Sequence, residues 1–195
     1  AIPGRVLDDG SGGHLQGISY ALSNRALCDL RAGRLAEAGA AFEETIRLGE
    51  RLGEKWTVYG AIANLALVEL ARPGGDPSAA FKMASDASAR AANNQDPKGV
   101  ADANLIAARA AIEVEPAAAD ALLDDAAQRF IGLGQKLGEA LAYLGRMELA
   151  TRGSDGNERA GAFEERARAI LAATELAALP LRFFAPPWHM LFLME

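Results

Sequence analysis

The stretch Asn64-Leu-Ala-Leu67 has a counterpart earlier in the chain, Asn24-Arg-Ala-Leu27, and another later, Asn104-Leu-Ile-Ala107, and the three are evenly spaced. Around Asn64, apolar residues such as Ile62 and Leu70 follow the three-and-four spacing of an amphipathic helix. Two helices with their turns occupy about 40 residues, which matches the spacing of the three stretches. The recurrence therefore indicates a pair of helices as the repeating unit.

Helix-breaking signals recur at half that distance. Asp76-Pro77, Asp96-Pro97 and Glu115-Pro116 follow one another at nearly equal steps. Proline is favoured at the first position of a helix, and an aspartate before it can cap the free N–H groups. Glycines, which adopt the left-handed conformation at low cost, mark the other turns. The sequence therefore predicts an all-α chain with helices at 16–31, 35–50, 55–72, 77–92, 97–113, 116–132, 136–151 and 157–176.

The second helix of each predicted pair carries a matching set of mostly small residues. A single pair cannot bury its apolar face alone, so neighbouring pairs must stack. We expect four units, at 18–53, 54–94, 95–134 and 135–176. The matching positions are Ala38, Phe42 and Thr45; Ala80, Ala84 and Ala87; Ala119, Leu123 and Ala126; and Ala160 and Ala167 beside Phe163.

With Ala26 in the first helix, Gly33 in the turn and these second-helix positions, the chain resembles the tetratricopeptide repeat (TPR) family. The forty-residue variety is similar to repeats of kinesin light chains and of helical arms in large bacterial regulators. The resemblance covers about residues 18–175. It implies a right-handed superhelix, an α-solenoid, whose first (A) helices line a concave groove and whose second (B) helices form the outer wall.

The chain departs from the family pattern in two ways. Residues 131–139 resemble residues 46–54 at a spacing of 85, so we expect an insertion or a shortened helix near 132–143. The family's aromatic residue near the end of helix A is replaced by charged residues, and Asp102 takes a position that is usually apolar. The replacing residues are Asp29, Glu69, Arg109 and Glu148.

The repeated asparagines are the sharpest candidates for ligand contact, because an amide can both donate to and accept from a peptide backbone. The resemblance implies that Asn24, Asn64 and Asn104 face the groove, with Tyr143 or a neighbour in the fourth unit. The alternative is that these amides bond only to adjacent helices or to water. The same face predicts five further groove residues: Tyr20, Leu27, Arg31, Leu67 and Arg146. The two arginines would meet an acidic ligand group, the alternative being that each is a solvated surface charge.

Composition narrows the class of function. The net charge of −6 over 195 residues argues against nucleic acid as a direct partner. The single cysteine, Cys28, forms no intrachain disulfide, fits a cytoplasmic location, and is predicted to be a core residue. No apolar run is long enough to span a membrane. His14 and His189 lie at opposite ends of the chain, and no phosphate-binding loop is present. We therefore predict no metal, no cofactor and no catalytic residue.

The two ends differ from the repeats. Residues 1–17 have the composition of a linker, and the start at Ala1 indicates a junction with an upstream region. Residues 177–195 are strongly apolar, so we expect the segment from Phe183 to Met194 to cap the last repeat, or to bind a second copy of the chain or another domain.

The expected function is therefore binding of a protein or peptide in the groove, as the interaction arm of a larger bacterial signalling or transcription regulator. The alternative is a domain that senses a small ligand or peptide and changes its superhelix on binding.

Overall fold

The computed structural model describes residues 11–152, 156–172 and 174, and every regular element within them is a helix, as predicted. The predicted starts of α2 to α7 coincide with the observed ones, whereas α1 begins five residues earlier, inside the expected linker, and α8 ends five residues earlier. The helices are α1 (Ser11–Arg31), α2 (Leu35–Leu52), α3 (Lys55–Ala71), α4 (Pro77–Asn93), α5 (Pro97–Val114), α6 (Pro116–Leu133), α7 (Lys136–Thr151) and α8 (Gly156–Leu171).

Local chemistry fixes these boundaries. The carboxylate of Asp76 accepts a hydrogen bond from the N–H of Ser78 and caps α4, while Asp96 caps α5 in the same way. At the other end, α2 and α6 stop at Gly53 and Gly134, both with a φ of 70°. That left-handed conformation favours glycine, which is why these helices end where they do.

The helices pack in chain order. Each one contacts the next, and α1, α3, α5 and α7 also contact one another in sequence. No two even-numbered helices make comparable contact within the described part of the chain. The odd-numbered helices therefore form a continuous layer, and the even-numbered helices form a more widely spaced one, an order compatible with an α-solenoid.

The matching positions of the even-numbered helices form the core between the two layers. Those of α2, α4 and α6 are all fully buried, and in α8 Ala160 and Ala167 are buried beside the half-buried Phe163. Small side chains there let successive helices approach closely, and the larger Phe42 and Leu123 fill the remaining space.

The even spacing of the asparagines is not the period of the helices. Helix α3 begins at Lys55, α5 at Pro97 and α7 at Lys136, so the first of these steps is three residues longer than the second. Asn64 is therefore the tenth residue of α3, whereas Asn104 is the eighth residue of α5. An offset of two residues turns a side chain by about 200° around the helix axis, so the two amides point in nearly opposite directions.

The similarity of residues 46–54 to 131–139 has a related explanation. Gly53 ends α2 and Gly134 ends α6, so these two glycines are structurally equivalent. The two similar stretches lie 85 residues apart, which is four residues more than the separation of the glycines. Four residues are about one helical turn, which keeps similar side chains on one face. The expected insertion near 132–143 is absent, and α7, at 16 residues, is one residue shorter than α3.

Ion pairs occupy the end of helix A, where the TPR pattern has an aromatic residue. Asp29 is 8% exposed and accepts hydrogen bonds from Nε and Nη2 of Arg34, at 2.9 and 2.7 Å. Glu69 pairs with Arg72 at 2.6 Å and also accepts from the backbone N–H of Asp76 at 2.8 Å. These carboxylates hold the turn that leads into helix B.

In the later units, the corresponding charges join α5 to α7. Arg152 donates to both oxygens of Glu113, at 2.9 and 2.8 Å, and to Glu148 at 3.1 Å. Arg109 donates to Glu113 at 3.1 Å. Hydrogen bonds from Arg152, helped by Arg109, lower the pKa of Glu113 to about 2. This network ties the odd-numbered layer together near the ends of its helices.

One predicted core residue lies on the surface. Cys28 is exposed, because α1 packs against α2 and α3 and buries the side that carries Ala26 and Leu30. The segment Phe183–Met194 lies outside the described residues. None of the described helices is both apolar enough and long enough to cross a membrane.

Candidate functional site

A recess of about 260 Å³ opens on the layer of odd-numbered helices, and we call it the odd-helix pocket. It lies where α3 faces α1 on one side and α5 on the other. Its lining residues are Leu27 from α1; Trp56, Tyr59, Gly60, Ala63 and Asn64 from α3; and Asp96, Lys98, Gly99, Asp102 and Ile106 from α5 and its N-cap.

Helical periodicity explains why these residues meet. Trp56, Gly60 and Asn64 are four residues apart and share one face of α3. Their counterparts in the next odd-numbered helix, Lys98, Asp102 and Ile106, share the corresponding face of α5. A Cβ atom placed on Gly60 would meet nothing within 4 Å, so the missing side chain of this glycine leaves part of the recess open.

An aromatic pair stands at the pocket entrance. Trp56 is 49% exposed and Tyr20 is 43% exposed, and their ring centroids are 5.0 Å apart. Large aromatic side chains are usually well buried and offer much contact area at little cost in side-chain entropy. Two of them half exposed beside a recess are typical of a binding surface.

Polar groups form the α5 side of the pocket. The hydroxyl of Tyr59 donates to one oxygen of Asp96 at 2.5 Å, and the N–H of Gly99 donates to the other at 2.9 Å. Burial raises the pKa of Asp96, but these hydrogen bonds, together with the backbone N–H and the charge of Lys98, outweigh it and hold that pKa below its usual value. Burial and the neighbouring carboxylate raise the pKa of Tyr59. The ammonium of Lys98 lies 2.9 Å from the carboxylate of Asp102.

Three of the residues predicted from sequence belong to this site. Leu27 and the half-buried Asn64 line the pocket, and Tyr20 borders it through the contact of its ring with that of Trp56. Asn24 and Arg31 are exposed on α1 but do not line the pocket.

Asn104 is part of the internal structure instead. Its side chain is 8% exposed, and its oxygen accepts a hydrogen bond from the hydroxyl of Ser88 in α4 at 2.6 Å. Its NH₂ group donates to Asp125 in α6, also at 2.6 Å. The alternative of bonding to adjacent helices therefore describes this residue. Tyr143 likewise faces an even-numbered helix, with its ring 6.4 Å from that of Phe163 in α8.

Two other predicted groove residues make internal contacts. Leu67 is fully buried in the core and presents no surface to a ligand. Arg146 pairs with Asp120 at 3.2 Å and Asp124 at 2.7 Å, and its guanidinium lies 5.0 Å from the ring centroid of Phe163. Its charge is therefore compensated within the chain, between α6, α7 and α8.

Several residues of the pocket are not among the sequence predictions. Trp56, Tyr59 and Lys98 lie near the starts of α3 and α5, whereas the repeat pattern marks the middle of the helices. In the sequence, Asp96 is recognisable only as a helix cap. The one feature of the sequence that could have indicated the pocket is Asp102, a charged residue at a position that is usually apolar.

Within the described residues, no group of three or more histidine, cysteine, aspartate or glutamate side chains is arranged to hold a metal ion. No protein-family model matches the chain, and no curated protein matches it. The likeness to TPR proteins therefore stays a resemblance.

Proposed function

We propose that this chain is a TPR-like module that binds a peptide, or an exposed segment of a protein, in the odd-helix pocket. The observation that supports the proposal most is the half-exposed pair of Trp56 and Tyr20 beside a recess bordered by three helices. Binding, and not catalysis, is the proposed role.

The packing order supports a curved stack with the odd-numbered helices inside. In this proposal the stack is a right-handed superhelix, and an extended ligand crosses α1, α3 and α5 in turn. It would pack on Leu27 and Ile106 and meet the amide of Asn64 between them. That amide can pair with a backbone C=O and N–H, and each such bond contributes roughly 0.5–1.5 kcal/mol.

Trp56 is the expected centre of the binding energy. A large aromatic side chain buries roughly 150–250 Å² when covered, and about half of this one is already covered. Covering the rest at about 25 cal/mol per Å² contributes roughly 2–3 kcal/mol. We therefore expect Trp56→Ala to weaken ligand binding by about 30-fold or more.

Gly60 allows a sharper test, because a side chain added there would extend into the recess without a clash at its Cβ atom. Peptides are selected from a random display library on the wild-type chain, and their affinities are measured by fluorescence anisotropy. Gly60→Phe fills the recess and should abolish binding, whereas Gly60→Ala, the matched control, should leave affinity nearly unchanged. Equal affinity for the wild type and Gly60→Phe, with helicity intact, would refute the proposed site.

The wider setting follows from the resemblance. We propose that the module works in the cytoplasm as an interaction arm of a larger bacterial regulator, without touching nucleic acid itself. X-ray scattering of the same complexes tests the sensing alternative, which requires the radius of gyration to change when peptide binds.

A further inference from the structure

Acidic side chains outnumber basic ones among the described residues that line the odd-helix pocket. Its described lining contains two carboxylates, Asp96 and Asp102, and one ammonium group, that of Lys98. Lys98 forms its ion pair with Asp102 at 2.9 Å. Asp96 accepts hydrogen bonds from neutral groups, among them the hydroxyl of Tyr59 and the backbone N–H of Gly99. The charge of Lys98 also acts on this carboxylate, so a single ammonium group faces both acidic side chains. The described residues that line the pocket therefore carry one more negative charge than positive charge.

The aromatic wall favours the same kind of ligand. The face of a tryptophan ring attracts a guanidinium or ammonium group, by about 0.5–1 kcal/mol at exposed sites and more where water is displaced. Trp56 and the two carboxylates line one recess, so a cation placed there would meet an indole and negative charge together.

We propose that the odd-helix pocket selects a peptide segment that places an arginine or lysine side chain between Trp56 and the carboxylates of Asp96 and Asp102. The inference rests on the proposed function, and it adds the chemistry of the ligand. The net charge of −6 over the whole chain acts in the same direction, because it attracts a basic partner at long range.

An acidic ligand fits this site less well. Arg146, predicted from sequence to meet an acidic group, is already held by two aspartates, and Arg31 does not line the pocket. Lys98, the one cation among the described residues that line the recess, is held by Asp102. An acidic side chain would have to displace that carboxylate while facing Asp96.

The test uses the complete chain and peptides from a random display library, counter-selected on Gly60→Phe so that only pocket-dependent binders remain. We expect these binders to be enriched in arginine or lysine next to an apolar residue. Replacing that arginine by the neutral isostere citrulline, or lysine by norleucine, should weaken binding about tenfold, the equivalent of about 1.4 kcal/mol.

A double-mutant cycle then locates the charge. Asp102→Asn should weaken the basic peptide about fivefold and leave the neutral analogue nearly unchanged, since the coupling requires both charges. Asp86→Asn, a neutralisation on the exposed side of α4, is the matched control and should change affinity less than twofold. A thermal unfolding curve verifies that each variant is folded.

The outcomes separate this inference from the proposed function. The cation proposal is overturned if the pocket-dependent peptides show no enrichment in arginine or lysine. It is also overturned if the citrulline or norleucine replacement leaves their affinity unchanged. Either result leaves the proposal of peptide binding intact. A selection that yields no pocket-dependent peptide overturns both. If the Gly60→Phe counter-selection removes every basic peptide that binds the wild type, both proposals also fail, because the attraction of those peptides is to the acidic surface in general.

Discussion

Replacing Gly138 by alanine should destabilise the stack through one specific contact. Gly138 is the third residue of α7, and a Cβ atom there would lie 2.5 Å from two ring carbons of Phe130 and 2.7 Å from a third. Carbon atoms in contact are normally about 3.5–4.0 Å apart. Phe130 is 1% exposed and packs in the core, so its ring has no room to retreat. Relieving the clash requires α6 and α7 to separate by about 1 Å, the shortfall from normal contact distance.

Overpacking of this kind costs about 1–3 kcal/mol. For a chain of this size, each kcal/mol lowers the melting temperature by roughly 2–4 °C. The assay is denaturant unfolding followed by helical circular dichroism. Gly161→Ala, inside α8, is the matched control: its Cβ meets nothing within 4 Å, so it should stabilise the helix by about 0.5–1 kcal/mol. A Gly138→Ala chain as stable as the wild type would refute this account of the α6–α7 contact.

Two further stability predictions follow from the hydrogen-bond and ion-pair geometry. Asn104→Ala should cost about 1–3 kcal/mol, because it removes two hydrogen bonds of a buried amide, to Ser88 and Asp125, that contribute roughly 0.5–1.5 kcal/mol each. The exposed Asn24→Ala should stay within about 0.5 kcal/mol of wild type. Equal effects on the free energy of unfolding would contradict the assigned faces. The ionised form of Glu113 stabilises the fold above pH 4.5, its ordinary pKa, and that contribution is lost as the pH falls toward about 2. The side chain is 36% exposed, so solvent screening limits the effect to roughly 1 kcal/mol. Glu113→Gln should accordingly flatten the pH dependence of the free energy of unfolding between pH 5 and 2, and an unchanged slope would exclude a contribution from the Arg152 pair.

The helix starts could be predicted from sequence because their signals are local. Asp76-Pro77 and Asp96-Pro97 each combine a capping carboxylate with proline at the first helical position, and α4 and α5 begin there. Gly53 and Gly134 act at helix ends through their own backbone conformation. Such signals involve only neighbouring residues, so distant packing does not change them.

The face on which a residue lies was harder to predict, because it depends on turn lengths. Five residues, 72–76, connect α3 to α4, whereas the single residue Glu115 connects α5 to α6. The step from α5 to α7 is consequently shorter than the step from α3 to α5, and the second-helix positions Ala38, Ala80 and Ala119 follow the same change. The asparagines keep a constant spacing and therefore drift around the helix. The buried small residues of the second helices therefore follow the spacing of the helix pairs, whereas the asparagines do not.

The pocket itself could be predicted only in part. Leu27 and Asn64, two of the predicted groove residues, line it, but its charged side chains come from the beginning of α5 and the aromatic Trp56 from the beginning of α3. Bringing Trp56, Asp96 and Lys98 together requires the distance and angle between neighbouring odd-numbered helices. Those quantities arise from packing along the whole stack and leave no local pattern in the sequence.

Backbone amide shifts of the ¹⁵N-labelled chain, titrated with a library-selected peptide, test the site most directly. Binding in the odd-helix pocket should move the amide signals of Gly60 and Gly99 while leaving those of Gly132 and Gly161 in place. Movement confined to Ser85, Ser88 and their neighbours, on the side where Asn104 lies between α4 and α6, would contradict the assignment of the ligand to the odd-numbered helices.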